Sequence, residues 1–259
     1  MIKYMINNGV KNEIKFVNEL NNKIFNDVKY NMQLFLEDIF GFIDSKSIIK
    51  CHKDNSLKKY DIVVEINGIV KRISLKMGIK NSVHSEPISE FVHFLIECKM
   101  PKKLILSFLK YHYADGSTNG TGKNRQSGKE YKISHMDEIN EINTFLNQED
   151  ILNKAINRFV IKGRNSIYCI DAIVLGTPSD FLWIKTNDIY KVLKCHKGNY
   201  STGIHFSNLF YQPMSRCINK NPKYEKKRFI SQIKWYSLFD DIIEVMNNNS
   251  KWYLQAVYG

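Results

Sequence analysis

Asp61 and Lys76 stand towards the two ends of the stretch DIVVEINGIVKRISLKMG (61–78), which carries Asn67-Gly68 at its middle. An Asn-Gly pair flanked by alternating apolar residues is a strong two-residue hairpin signal, because both turn positions tolerate positive φ. With the turn placed there, Ile66 faces Ile69, Val64 faces Lys71 and Asp61 faces Ser74. Same-face neighbours along a strand are two apart, so Lys76 falls diagonally beside Asp61. Neither Asp nor Lys is a natural strand residue, and both cost stability there. A carboxylate suits a hard divalent cation such as Mg²⁺. An ammonium beside it can orient a water and neutralise charge developing on a phosphate. An ordinary cross-strand ion pair at a solvated strand end explains the same two residues, and the hairpin alone leaves both readings open.

The surrounding pattern alternates helix and strand. Apolar residues at helical spacing predict helices over Lys11–Phe25 and Asn31–Ile43, and Ile48–Cys51 reads as a short strand. After the hairpin, Pro87 opens a helix through Phe91, Phe94 and Leu95, Pro101 ends it, and Lys102–Tyr113 forms another. Residues 114–130 are a Gly-rich basic loop. Helical patterns resume at Met136–Leu146 and Glu149–Phe159. Strands are expected at Ile167–Leu175 and Phe181–Ile184, a helix at Asn187–Leu193, loops over 199–221, and a basic strand at Lys226–Trp235. No repeat or linker interrupts this order. The simplest expectation is one α/β domain over 1–259, with a catalytic core at 10–100 and the remaining core strands plus recognition or dimerisation elements at 145–259.

The charge points to a partner. Thirty-eight Lys and Arg against 26 Asp and Glu give a formal +12. A protein this basic meets nucleic acid first and an anionic membrane second, though AT-rich coding also favours lysine. No apolar run is long enough to span a bilayer, so no membrane is expected. The five cysteines (51, 98, 169, 195 and 217) form no CxxC pair, which together with the N-terminal sequence predicts reduced thiols in a cytoplasm. KCHK occurs twice, at 50–53 and 194–197, but adjacent residues on a strand point apart and make a poor zinc pair.

The order of these residues resembles the PD-(D/E)xK nucleases, which have the restriction-endonuclease-like fold. Tyr60-Asp61 stands at the PD element, Ser74-Leu75-Lys76 at the acid-x-Lys element, and Glu13 is the upstream helix acid. Serine in place of the acid is a departure. It resembles a branch of Type II restriction enzymes in which the motif is SxK and the carboxylate moves to the next helix, about fourteen residues after the lysine. Glu90 is fourteen after Lys76 (90 − 76), and Glu86, ten after it, competes on the same expected helix. The resemblance covers roughly residues 10–95. It implies a central mixed β-sheet flanked by helices, with C-terminal elaborations, and Mg²⁺ held by Asp61 and Glu90 (or Glu86). It further implies a water oriented by Lys76, an auxiliary Ser74, an accessory Glu13, and a homodimer acting on double-stranded DNA. Acids in a first helical turn are also favoured by the helix dipole, which explains both glutamates without a metal.

Other candidates are weaker. GSTNGTGKN (116–124) lacks the first glycine and the Ser/Thr of a phosphate-binding P-loop. Lys123, Arg125 and Lys129 in that loop, and Lys223, Lys226, Lys227 and Arg228 in an aromatic-rich run, are candidate DNA contacts or solvated surface. His84 and His93 could assist proton transfer or simply pack. Gln232-Ile233-Lys234, with Asp171 or Asp180, is a second motif mimic without a hairpin. The sequence therefore predicts a Mg²⁺-dependent endodeoxyribonuclease of restriction type. A non-cleaving nucleic-acid-binding module and a basic protein with another partner remain alternatives.

Overall fold

The Asn67-Gly68 turn is present, with φ of 50° and 79°, and it sets the register of the sheet around it. The computed structural model describes residues 8–56, 58–78, 82–164, 166–195, 203–214 and 222–248, with backbone alone for 222–224. They fall into two compact units. One lies within Met1–Asn81, Val160–Val192 and Ser237–Gly259, the other within Ser82–Phe159 and Leu193–Tyr236.

The first unit is built on a six-stranded mixed sheet of order β1-β2-β3-β4-β6-β7. Its strands are β1 (Lys23–Ile24), β2 (Ile48–Lys53), β3 (Ile62–Ile66), β4 (Ile69–Lys76), β6 (Ala172–Thr177) and β7 (Asp180–Lys185). Only β4 and β6 pair in parallel. The side chains of Ile49, Cys51, Ile62, Val64, Ile73, Ala172 and Val174 share one buried face, as the two-residue period demands. Helices α1 (Asn8–Leu20) and α2 (Tyr30–Phe40) belong to that side: Phe16 and Phe35 meet Phe181 edge-on at 5.6 and 5.8 Å. Asn12 Nδ2 donates to Gly176 O at 2.9 Å. Asp38 accepts from Trp183 Nε1 at 2.8 Å and Lys185 Nζ at 2.7 Å. α9 (Leu238–Asn248) also belongs here, with Leu238, Ile242 and Met246 buried at four-residue spacing.

The second unit holds an antiparallel sheet, β5-β10-β9-β8: β5 (Ser82–Pro87), β10 (Ile230–Trp235), β9 (Leu209–Pro213) and β8 (His205–Phe206). Its helices are α3 (Ile88–Glu97), α4 (Lys102–Tyr113), α5 (Gly128–Ser134), α6 (Met136–Leu146) and α7 (Glu149–Ile156), the last running into a π-helical turn at Asn157–Ile161. Phe91 is fully buried and stacks on Phe108 and on Phe159, both at 5.1 Å. Burying a ring of this size contributes about 2–3 kcal/mol. α8 (Thr186–Cys195) spans the division of the chain between the units. Among the described residues no helix is long and apolar enough to cross a membrane.

Several local expectations change. The first helix stops at Leu20 because Asn22 takes φ 59° and Phe25 N turns to Ser47 O. The helix opens at Pro87 as expected, but Glu86 is not on it: residues 82–87 form a strand in which Glu86 pairs with Ser231. Residues 167–171 are not strand, which starts at Ala172. The loop-rich region contains β8 and β9. Lys226–Phe229 belongs to a 3-10 helix rather than to the strand, and β10 lies inside its sheet between β5 and β9.

Candidate active site

The hairpin register is the expected one. Ile66 faces Ile69, Val64 faces Lys71 and Ile62 faces Ile73. Asp61, just ahead of β3, donates its N–H to Ile73 O at 2.9 Å, one residue off the pairing of the ladder. The pleat then turns Asp61, Ser74 and Lys76 to one face, opposite that of Ile62 and Ile73.

The three side chains are in contact. The N–H of Leu75 donates to Asp61 Oδ2 at 2.6 Å, and Ser74 Oγ donates to the same oxygen at 3.2 Å. Lys76 Nζ donates to Ser74 Oγ at 2.9 Å and to Leu75 O at 3.3 Å, and it lies 3.8 Å from Asp61 Oδ2. Ser74 is buried, while Asp61 and Lys76 are 27% and 19% exposed, so the pair is less screened than a surface ion pair. Every contact falls on Oδ2. Oδ1 makes no hydrogen bond among the described residues. Lys76 has three N–H donors and two are spent within the motif, which leaves one for an added group. The clamp from Leu75 N–H is the element that motif reading missed, since a backbone donor leaves no trace in residue identity.

Among the described residues no three His, Cys, Asp or Glu side chains converge as a ready metal cage. The donor set suits Mg²⁺ in a narrower sense. That ion is commonly held by one or two carboxylates, with water and substrate phosphate supplying the remainder, and Asp61 offers one fixed carboxylate with an uncommitted oxygen.

The remaining acids have other engagements. Glu13 pairs with Lys53 Nζ at 3.0 Å. Lys53 faces Ile62, so this pair belongs to the sheet face away from Asp61 and Lys76. Glu86 and Glu90 belong to the second unit. The Glu86 side chain is 7% exposed, and its Oε2 lies 2.9 Å from Arg158 Nη2 and 3.0 Å from His84 Nε2. Arg158 Nη2 also donates to Glu90 O at 3.2 Å. Glu90 is in the first turn of α3 and half-buried. His84 thus serves Glu86 and lies against the Phe159 ring, and exposed His93 pairs with Glu97 one turn on. Asp171 accepts from Lys71 Nζ at 3.2 Å and Arg72 N at 2.8 Å, and Asp180 is exposed at the start of β7. Lys234 lies on β10 in the other unit. Cys51 is buried and His52 exposed, as adjacent strand positions must be. His196 and Cys217 lie outside the described residues.

The basic candidates divide in two. Lys123, Lys129, Lys226 and Lys227 are exposed, and the side chain of Lys223 lies outside the described ones. Arg125 instead donates to Tyr113 O at 2.8 Å and His112 O at 3.1 Å, closing the C-terminus of α4. Arg228 donates to Gly120 O at 2.5 Å and pairs with Glu225 at 3.4 Å. The loop between them is ordered by Asp115, which accepts from Ser117 N, Ser117 Oγ and Gly122 N.

Among solved structures, the chain is similar to restriction endonuclease MspI in complex with its cognate DNA, with a TM-score of 0.50 and 12% identity over 77% of this chain and 75% of that one. The architecture is broadly that of a restriction endonuclease. No family profile matches the sequence, and no curated protein is similar to it. At this identity the likeness concerns the fold, a mixed sheet flanked by helices, and the site rests on the side chains above.

Proposed function

We propose that the chain is a Mg²⁺-dependent endodeoxyribonuclease of the Type II restriction kind, in the SxK branch of the PD-(D/E)xK nucleases. The observation that carries this reading is the contact set Asp61–Ser74–Lys76 at the open end of the β3–β4 hairpin, within a fold like that of a restriction endonuclease.

Asp61 would hold the ion through Oδ1, since Oδ2 is fixed by Leu75 N–H and Ser74. Glu90 is the second carboxylate of this reading on the strength of its fourteen-residue spacing from Lys76. Glu86 is disfavoured, because taking it from Arg158 would strand a largely buried guanidinium. Bound Mg²⁺ would polarise the phosphate and lower the pKa of a nearby water. Lys76 has the protein's own part in the chemistry. Its third N–H is directed to the water or to a non-bridging phosphate oxygen, and its charge offsets the negative charge gathering in the transition state. Ser74 keeps Lys76 and Asp61 at fixed separation. Exposed lysines at 123, 129, 226 and 227 would meet backbone phosphates, in keeping with a +12 chain acting on double-stranded DNA as a homodimer in the cytoplasm.

The test is incubation of plasmid DNA with the purified chain in Mg²⁺ and in EDTA, beside Asp61→Ala. Cleavage that needs Mg²⁺ and is lost in the variant supports the enzyme. A second reading, a DNA-binding module that does not cut, is favoured by the lack of a three-ligand cluster among the described residues. DNA binding without cleavage in Mg²⁺ or Mn²⁺ would establish it.

A further inference from the structure

Arg72 lies on β4 two positions before Ser74, on the same face as Asp61, Ser74 and Lys76. Two residues of strand span ~7 Å, about the length of one nucleotide along a backbone. Its guanidinium carbon sits 4.0 Å from the centre of the Tyr168 ring and 5.8 Å from that of Tyr60. Lys58 Nζ adds a second cation, 5.6 Å from both rings. Among the described residues the Arg72 guanidinium makes no hydrogen bond and no ion pair, and only its backbone is bonded, to Asp171. A half-buried arginine in a folded chain ordinarily meets a carboxylate or a carbonyl. This one is stacked, with its N–H edge uncommitted.

The backbone beneath it is tied in place, although the Tyr168 ring itself is 40% exposed. Tyr60 is 5% exposed. Tyr168 is fixed through buried Ser166, whose Oγ accepts from Tyr168 N at 3.0 Å and donates to Tyr168 O at 2.8 Å. The next turn of chain is tied down by Ile170 N to Ile161 O. Stacking limits the rotamers of the arginine in advance, so little freedom is left to lose when a planar, bidentate acceptor arrives. Phosphate is the acceptor that matches both that fork and the local excess of positive charge.

We infer that Arg72, stacked on Tyr168, binds the backbone phosphate of duplex DNA next to the one addressed by Lys76. This rests on the nuclease reading for the position of the neighbouring phosphate, but its test is a binding measurement and needs no cleavage. The affinity of the full chain for a short mixed-sequence DNA duplex is measured in EDTA across a salt series, for wild type, Arg72→Gln, Arg72→Lys, Tyr168→Phe and Tyr168→Ala. Thermal melting is followed for each. Loss of one phosphate contact should reduce the log–log salt slope of Arg72→Gln by about 0.9, with roughly tenfold weaker binding at moderate salt. Arg72→Lys should keep most of the slope and lose affinity, since an ammonium supplies charge without the fork. Tyr168→Phe should bind as wild type does, and Tyr168→Ala should weaken binding without changing the slope.

An Arg72→Gln protein that melts lower yet has an unchanged slope would make the stack merely structural and overturn the inference. Binding that depends on Arg72 in a protein that never cuts DNA would uphold it while removing the nuclease. Cleavage by a protein whose slope ignores Arg72 would do the reverse. A wild type that binds no duplex overturns both.

Discussion

The N–H of Leu75 donates to Asp61 Oδ2 at 2.6 Å, so the carboxylate before β3 is locked to the strand across the hairpin. That bond fixes one oxygen, and among the described residues the other makes no hydrogen bond, which is the geometry the proposed metal-binding role requires. Asp61→Ala should abolish Mg²⁺-dependent cleavage and keep DNA affinity within a few-fold of wild type. It should also cost about 1–3 kcal/mol of stability, because the Leu75 N–H loses its acceptor. Plasmid cleavage, duplex binding in EDTA and a denaturant titration read the three outcomes. Residual cleavage near the wild-type rate would move the search to Asp171 and Asp180.

Lys76 is held by Ser74 and by Leu75 O rather than by a full ion pair with Asp61, so its removal should leave the fold nearly intact. Lys76→Ala should lower the single-turnover rate by about 100-fold or more, the scale seen when one transition-state donor is deleted. Ser74→Ala, which loosens both neighbours without removing charge, should give a smaller loss. Equal rates for Lys76→Ala and wild type would leave the ammonium no part in the chemistry.

The two glutamates should separate cleanly. Glu86→Gln removes the charge facing Arg158 and His84, whose side chains are 12% and 14% exposed, and breaking such a largely buried pair costs about 3–5 kcal/mol. Its signature is a lowered melting temperature. Glu90→Gln should melt close to wild type and fail to cut. If Glu86→Gln is inactive while stable and Glu90→Gln is active, the second carboxylate is Glu86.

Burial pushes the Cys51 thiol from 9.0 up to about 12. The folded state therefore holds that proton more tightly than the unfolded chain does. Its contribution to stability is complete below the unfolded pKa and is lost as pH rises from about 9 towards 12. Near pH 8 the native thiol should resist alkylation, while exposed Cys169 and Cys195 react. Mass mapping after a brief iodoacetamide pulse checks this. Rapid native labelling of Cys51 would contradict the packing of β2 against its neighbours.

The hairpin was legible because one dipeptide places its turn and the two-residue period of a strand does the rest, which brings Asp61, Ser74 and Lys76 together without further information. The helices at Lys102–Tyr113 and Met136–Leu146 were legible by period, the first also by its proline. β5 was not, since SVHSEP has no alternating pattern and is strand only because β10 pairs with it. α5 sat unread inside a Gly-rich stretch, although the Ser127–Glu130 capping box that starts it was present in the sequence. The Arg72–Tyr168 stack joins residues 96 positions apart (168 − 72) and has no local signature.

The basic residues give the last prediction, because the structure divides them into exposed lysines and half-buried arginines that bond to carbonyls. Lys226 and Lys227 are exposed on the 3-10 helix, whereas Arg125 and Arg228 spend their guanidinium donors on the carbonyls of Tyr113, His112 and Gly120. An arginine bonded to carbonyls holds its loop in shape and has fewer donors for a phosphate. Replacing Lys226 and Lys227 together by alanine should flatten the log–log salt slope of duplex binding by up to about 1.8, at roughly 0.9 per phosphate, with little change in melting temperature. Arg125→Ala or Arg228→Ala should instead lower the melting temperature, because each orphans a carbonyl, and should leave the slope near wild type. A salt slope that ignores the lysines but responds to the arginines would reverse the assignment and place the DNA backbone against the loop at 114–127.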